Sequence, residues 1–265
     1  MSLELFKTLN QQLKAFTHEL AYHIVGDPLV LSNLEAYLNI SWEAKLKVNI
    51  TTTGNNLEQK HFEVLTHKAL KQVNFSINSY QANSHKKSLE EYLDPIFSFA
   101  QYVAEAKKEL FINFRIWNLD ENQSAKAFNQ KVFEYANAFF GVNLDLEDIY
   151  TQKPKNIKVA RKIFFNFDDY FSWPTLQSNH FQENGYCHGL SSHFGILSSG
   201  SVVPCCLDKD GIINLGNVHN ESIENILNSL RVKKIQMGFS NHKAVELLCQ
   251  KCEYKTRFDE RINNE

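Results

Sequence analysis

All five cysteines of this chain lie in its last third: Cys187, Cys205, Cys206, Cys249 and Cys252. Twelve residues separate Cys187 from Gly200, and four separate Gly200 from Cys205. Pro204-Cys205-Cys206, Gly216-Asn217 and Cys249-Gln250-Lys251-Cys252 then follow in order. Thiolates hold metal when several converge from separate stretches of chain. A hairpin carrying Cys187 and Cys205, closed by the distant Cys-x-x-Cys turn, can present four. Four sulfurs at about 2.3 Å suit tetrahedral zinc, and four thiolates equally suit a 4Fe–4S cluster. Spacing alone does not separate the two, and zinc is the commoner structural outcome.

Composition narrows the setting. A chain of 265 residues with 43% hydrophobic content can bury one large core and a smaller one. The formal charge of −2 gives no electrostatic case for nucleic acid or an anionic membrane as partner. No apolar run approaches the ~18 residues of a membrane span. Met1-Ser2-Leu3-Glu4-Leu5-Phe6 lacks the basic and apolar regions of a signal peptide. A cytoplasmic location is therefore expected, where thiols stay reduced and clustered cysteines favour metal over disulfides. His188 and His193 lie near the cysteines but are more simply hairpin histidines. Asp208 reads as a turn residue, and Lys86-Lys87 and Lys233-Lys234 as solvated faces.

Positioning the thiols requires a scaffold, and periodicity supplies one. Leu3, Phe6, Leu9, Leu13 and Phe16 mark an amphipathic helix over 3–17. Strands are expected at 20–25, 45–50, 73–77, 110–117 and 162–167, and helices at 29–38, 57–70, 88–107 and 122–140. Alternating strand and helix argues for parallel βαβ units. In such folds ligands bind beyond the carboxyl ends of the strands. Gly26-Asp27, Thr51 to Asn55 including Thr52, Ser76 with Asn78, and Arg115 occupy those ends. Singly each is a turn residue; together they form a cradle for a polar ligand. Residues 194–203 carry a hairpin signal around Ser198-Ser199-Gly200-Ser201, and 222–230 a capped helix.

The run from Cys187 through Gly200, Pro204-Cys205-Cys206-Leu207-Asp208, Leu215-Gly216-Asn217-Val218 and Glu221 to Leu227, ending in Cys249-Gln250-Lys251-Cys252, resembles a known extension. It is similar to the C-terminal SPASM/twitch domain of radical S-adenosylmethionine enzymes, in the short form of the 2-deoxy-scyllo-inosamine dehydrogenase type. That resemblance implies one auxiliary 4Fe–4S cluster on Cys187, Cys205, Cys249 and Cys252, with Cys206 spare and zinc the alternative. It also implies an α/β chain in two parts. Residues 1–180 are expected to form a partial (β/α)6 barrel lacking its first strand, and 181–265 a small cysteine-rich domain of hairpin and helix.

Ile24-Val25-Gly26-Asp27-Pro28-Leu29 resembles the second-strand loop of the family, which contacts the amino group of S-adenosylmethionine; Val25 and Asp27 depart from its usual Gly-Gly-Glu-Pro. Gly26, Asp27, Thr52, Ser76, Asn78 and Arg115 are the implied cofactor contacts. The family's reaction further depends on a Cys-x-x-x-Cys-x-x-Cys loop after the first strand, and no cysteine precedes Cys187 here. The expectation is that a few tens of residues are missing upstream. The 265 residues alone are then inactive in S-adenosylmethionine cleavage. The complete form would generate a 5′-deoxyadenosyl radical, acting as an oxidoreductase or modifying a small molecule or peptide, with flavodoxin or ferredoxin as electron donor. The alternative is a non-catalytic cluster- or zinc-binding scaffold.

Overall fold

The computed structural model describes residues 1–82, 87–120 and 123–258. They fall into two compact units, Thr17–Tyr170 and Met1–Phe16 with Phe171–Glu265. The opening helix, α1 (Leu3–Leu13), thus clusters with the C-terminal part rather than with the βα series. Ser2 caps it, accepting from Leu5 N at 3.2 Å. Gln12 Oε1 on its far end accepts from Ile223 N at 2.9 Å.

In the 17–170 unit the elements run β1 (Glu19–Tyr22), α2 (Leu34–Glu43), β2 (Lys47–Thr52), β3 (Leu70–Ser76), α3 (Ser79–Ala82) and α4 (Leu89–Glu105). They continue with β4 (Phe111–Trp117), α5 (Gln123–Phe140), α6 (Leu146–Gln152), β5 (Asn156–Ala160) and β6 (Ile163–Asp168). The sheet order is β1-β2-β3-β4-β6-β5, parallel throughout except that β5 pairs antiparallel with β6. The sheet does not close, and β1 and β5 are its edges, as a partial barrel requires.

Strand periodicity separates two faces. Val48 and Ile50, Val73 and Phe75, Ile112, Phe114 and Ile116, and Ile163, Phe165 and Phe167 join the core. Phe97 of α4 packs its ring 4.9 Å from that of Phe114 and 5.0 Å from that of Phe140. A capping box of Ser88 and Glu91 starts α4. The opposite face carries a polar row, Asn49 and Thr51, Gln72, Asn74 and Ser76, Asn113 and Arg115, and Asn166, beside the aromatic rings of Phe111, Trp117 and Phe164.

Three details differ from the sequence expectation. Residues 57–70 form two short 3₁₀ turns, Gln59–His61 and Val64–Thr66, instead of one helix. Side chains offer the backbone local partners there: Glu58 N donates to His61 Nδ1 at 3.0 Å and Ala69 N to His67 Nδ1 at 3.1 Å. The helix expected at 29–38 begins later, at Leu34, after a 3₁₀ turn at Pro28–Val30. The antiparallel strand β5 and the helix α6 were not anticipated.

In the other unit, β7 (Gly195–Ile196), β8 (Ser201–Val203) and β9 (Gly216–Asn217) form a small antiparallel sheet. Helices α7 (Ile223–Leu227), α8 (Leu230–Ser240) and α9 (Leu247–Gln250) follow. Ser222 caps α7, accepting from Asn225 N at 3.2 Å. The β7–β8 turn needs Gly200: its φ is +86°, and a Cβ there would stand 2.8 Å from His219 Cδ2.

Candidate metal centre and strand-end site

The small sheet explains how distant cysteines meet. Gly195 pairs with Val203, so the chain segments flanking the hairpin return side by side. Gly189 marks their approach. A Cβ built on it would lie 3.7 Å from Cys187 Sγ, 3.7 Å from Cys205 Cβ and 3.2 Å from Pro204 O. Gly189 N donates to Cys187 Sγ at 3.4 Å. Cys249 sits in α9, and Cys252 leads into the 3₁₀ turn Glu253–Lys255.

Electrostatics places the thiols in one neighbourhood. Burial raises the pKa of Cys187, Cys205, Cys249 and Cys252, taking Cys205 to about 12 and Cys249 well above the usual thiol value. Mutual charge adds to this: Cys249 is further raised by Cys205, Cys187 and Cys252, and Cys187 by Cys252 and Cys206. Thiolates gathered in a desolvated place repel one another and need a cationic centre to stay ionised. The donor set therefore fits a metal group. Among the described residues no three His, Cys, Asp or Glu side chains stand close enough to share a single metal ion. Four thiolates around one zinc must approach to about 3.8 Å of each other. A cluster spreads them over separate irons and calls for a wider cradle.

The neighbouring residues have simpler roles. Asp208 is 2% exposed, and its carboxylate accepts from Ile212 N and Ile213 N, both at 2.8 Å. That is the turn role expected of it. His188 lies edge-on to Phe258 with centroids 4.8 Å apart, and Ser192 Oγ lies 3.0 Å from His193 Nδ1. Lys87, Lys233 and Lys234 are exposed, and Lys86 lies outside the described residues.

The strand-end residues divide into two groups. Asp27 forms a clasp. Its carboxylate takes Leu29 N at 3.0 Å, Thr53 N at 2.9 Å, Thr53 Oγ1 at 2.8 Å, and Thr52 Oγ1 at 2.7 and 2.8 Å. An ionised carboxylate offers about four lone-pair sites, and these donors occupy them. Thr52 is itself 2% exposed. Gly26 has φ +91° and nothing within 4 Å of a Cβ, so its turn faces open space.

The second group lies at the ends of β3 and β4. Ser76 pairs in register with Arg115. Arg115 Nη1 donates to Thr51 Oγ1 at 3.4 Å, and its guanidinium lies 4.5 Å above the Trp117 ring. Asn78 Oδ1 accepts from Trp117 N at 3.5 Å. Trp117 Nε1 donates to Asn166 Oδ1 at 2.7 Å, and Asn113 Nδ2 to Asn74 Oδ1 at 3.0 Å. Sequence reasoning missed Trp117 and this amide row. The available signal was polar residues at alternate positions in strands of otherwise apolar character, as in Gln72/Asn74 and Asn113/Arg115.

Comparison with known proteins adds to this geometry. Residues 187–253 match SPASM, an iron-sulfur cluster-binding domain. A search of the curated proteins returned no match. Among solved structures, BtrN in complex with AdoMet and 2-DOIA superposes with a TM-score of 0.56 at 16% identity, covering 96% of this chain and 80% of that one. Native anSMEcpe with bound AdoMet gives 0.56 at 12% identity, covering 100% and 88%. Streptococcus suis SuiB bound to the precursor peptide SuiA gives 0.53 at 13% identity, covering 98% and 67%. At these identities the likeness establishes the fold. The chain thus has the fold of radical S-adenosylmethionine enzymes and carries a SPASM domain, the resemblance read in its sequence. Among the described residues no helix is long and apolar enough to cross a membrane.

Proposed function

We propose that this chain is an iron-sulfur protein of the radical S-adenosylmethionine/SPASM group, with one auxiliary 4Fe–4S cluster held by Cys187, Cys205, Cys249 and Cys252. The observation that carries this is that the matched domain holds four half-buried cysteines, with Cys187 Sγ and Cys205 Cβ each 3.7 Å from a Cβ built on Gly189 and the other two in the Cys249–Cys252 turn. The match of residues 187–253 to an iron-sulfur cluster-binding domain supports a cluster over zinc. When bound, such a cluster supplies one-electron transfer or an anchoring site for substrate. The protein's part is to bury the thiolates, donate Gly189 N–H to Cys187, and hold the hairpin against the Cys-x-x-Cys turn.

Anaerobic reconstitution tests the reading. The expected result is about four irons and four sulfides per chain, with broad absorbance near ~400 nm that bleaches on reduction. One tightly held zinc without sulfide, even in excess iron, overturns it.

The proposed division is a barrel portion over 1–180 and a cluster domain over 181–265. Ser76, Asn78 and Arg115 remain the proposed contacts for S-adenosylmethionine or a substrate carboxylate, from the small molecules or peptides bound by the structural neighbours. An electron donor of the flavodoxin or ferredoxin kind and an oxidoreductase or peptide-modifying reaction complete the proposal. Residues 1–265 contain no three-cysteine loop, so these residues alone are proposed not to cleave S-adenosylmethionine. A second reading, a non-catalytic cluster-bearing scaffold, is favoured by one observation: Asp27, in place of the family's glutamate, has its lone pairs taken by Leu29, Thr52 and Thr53. Equilibrium dialysis with radiolabelled S-adenosylmethionine decides between them. Saturable binding supports the enzyme, and none supports the scaffold.

A further inference from the structure

The chain after α8 turns back along that helix and leaves a groove beside it. Gly238 permits the close approach: a Cβ there would stand 2.7 Å from both Lys243 O and Val245 Cγ1. Lys243 N donates to Gly238 O at 2.8 Å. The cavity, about 390 Å³, has Arg231, Lys234, Met237, Lys243, Val245 and Glu246 in its lining. Met237 is 62% exposed and Val245 43%, an apolar strip open to solvent. Among the described residues that line it, three are cations and Glu246 is the one anion. Arg231 holds Glu246 by two bonds, at 2.7 and 2.9 Å, and donates to Asn214 O at 2.8 Å, so its charge is matched. Among the described residues none pairs with Lys234. Lys243 meets Glu183 at 3.9 Å, with both side chains half exposed or more, a pair of little worth. Two cations thus stand in excess beside an apolar strip, on a chain whose formal charge is −2. Such a local reversal of sign draws an acidic partner to one place.

The groove adjoins the cysteine turn. Glu246 is the N-cap of α9, Gln250 N donates to Glu246 O at 3.0 Å, and Cys249 lies in that helix three residues beyond Glu246. We propose that the groove is the docking face for an acidic one-electron carrier protein that exchanges electrons with the auxiliary cluster. The inference rests on the cluster reading above. One electron passes between carrier and cluster, one being oxidised as the other is reduced, and no bond forms or breaks. Lys234 and Lys243 attract the carrier's carboxylates. Met237 and Val245 take an aliphatic side chain, and a flexible thioether adapts to such contacts. A site of this size suits the small, salt-sensitive encounters of redox partners.

The test compares reconstituted wild type, Lys234→Glu, Lys243→Glu and Lys131→Glu, with iron and sulfide counted in each. Lys131 is exposed on α5, so its variant carries the same charge change away from the groove. The probes are an acidic plant-type ferredoxin and a flavodoxin. Binding is read by biolayer interferometry and electron exchange by stopped-flow absorbance. Each groove variant is expected to bind more weakly and to exchange electrons about fivefold more slowly at ~20 mM salt, and less than about twofold more slowly at ~0.5 M. Lys131→Glu is expected to match wild type, and dithionite, which needs no docking, to reduce all four proteins alike. Wild type that binds neither carrier at low salt overturns the proposal. So do groove variants that match wild type, that are slowed with dithionite as well, or that are slowed no more than Lys131→Glu. Groove variants that lose binding to anionic vesicles or to a second copy of this chain, yet keep the carrier, give the groove another occupant and overturn it too. Wild type that takes up zinc and no sulfide fails at the metal count, before any carrier is added, so failure of the cluster reading is distinguished from failure of the docking.

Discussion

Replacing Asp27 by Asn measures whether the β1–α2 loop is a clasp or a ligand-binding arm. The carboxylate accepts two backbone N–H groups, of Leu29 and Thr53, and two hydroxyls, of Thr52 and Thr53. An amide leaves one accepting oxygen and turns an NH₂ group toward donors. Roughly half the hydrogen bonds are lost, and Thr52, at 2% exposure, has no water to replace its partner. A hydrogen bond to a charged group contributes about 1.5–3 kcal/mol, and Asp27 is half-buried, so two lost bonds cost about 2–4 kcal/mol after discounting solvent access. For a unit of this size each kcal/mol moves the melting temperature by about 2–4 °C, giving a drop of about 5–12 °C. Circular dichroism melting checks this, with Thr52→Val as the second arm of a double-mutant cycle. A coupling of about 1–2 kcal/mol between the two positions is expected. A clasp role for Asp27 is refuted if Asp27→Asn melts with wild type, Thr52→Val is additive with it, and S-adenosylmethionine binding alone is lost.

Other substitutions probe the remaining elements. Ala at Cys187, Cys205, Cys249 or Cys252 is expected to lower iron and sulfide content to well below wild type, whereas Cys206→Ala keeps about four irons; equal loss at Cys206 would reassign the ligands. Gly54→Ala puts a Cβ 2.5 Å from Ile96 Cδ1 on a residue with φ +78°, so chemical denaturation is expected to show a loss of about 2 kcal/mol or more. Asp208→Ala leaves the N–H groups of Ile212 and Ile213 without their acceptor, at a cost of about 2–3 kcal/mol by urea unfolding. A neutral result there would mean that water replaces the carboxylate.

Much of the architecture was legible because its signals are local. The apolar alternation of Ile112, Phe114 and Ile116 marks β4 whatever surrounds it, and Ser88 with Glu91 announces the start of α4. The 57–70 stretch misled because Leu57 and Leu65 have helix-like spacing, yet their burial is achieved by two tight turns closed by His61 and His67. β5 was hidden because Asn156–Ala160 is an edge strand with no fully buried position.

By itself the sequence determined where the cysteine-rich domain lies. Cysteines occur nowhere before residue 187, and their spacing with Gly200 and Gly216 carries the resemblance to the SPASM domain that residues 187–253 match. It also determined that a parallel sheet with polar strand ends would be present. Only tertiary structure decided which polar groups are available. Asp27 and Arg115 read alike along the chain, as charged residues at strand ends. In the fold, Asp27 is consumed by Thr52 and Thr53, while Arg115 lies over Trp117 beside Ser76. Likewise Lys255 is one of 28 basic residues in the sequence, and only the packing of the cysteine unit makes it buried. The reason is that a hydrogen-bond partner or a desolvated charge depends on atoms brought from tens of residues away, and no local pattern encodes that distance.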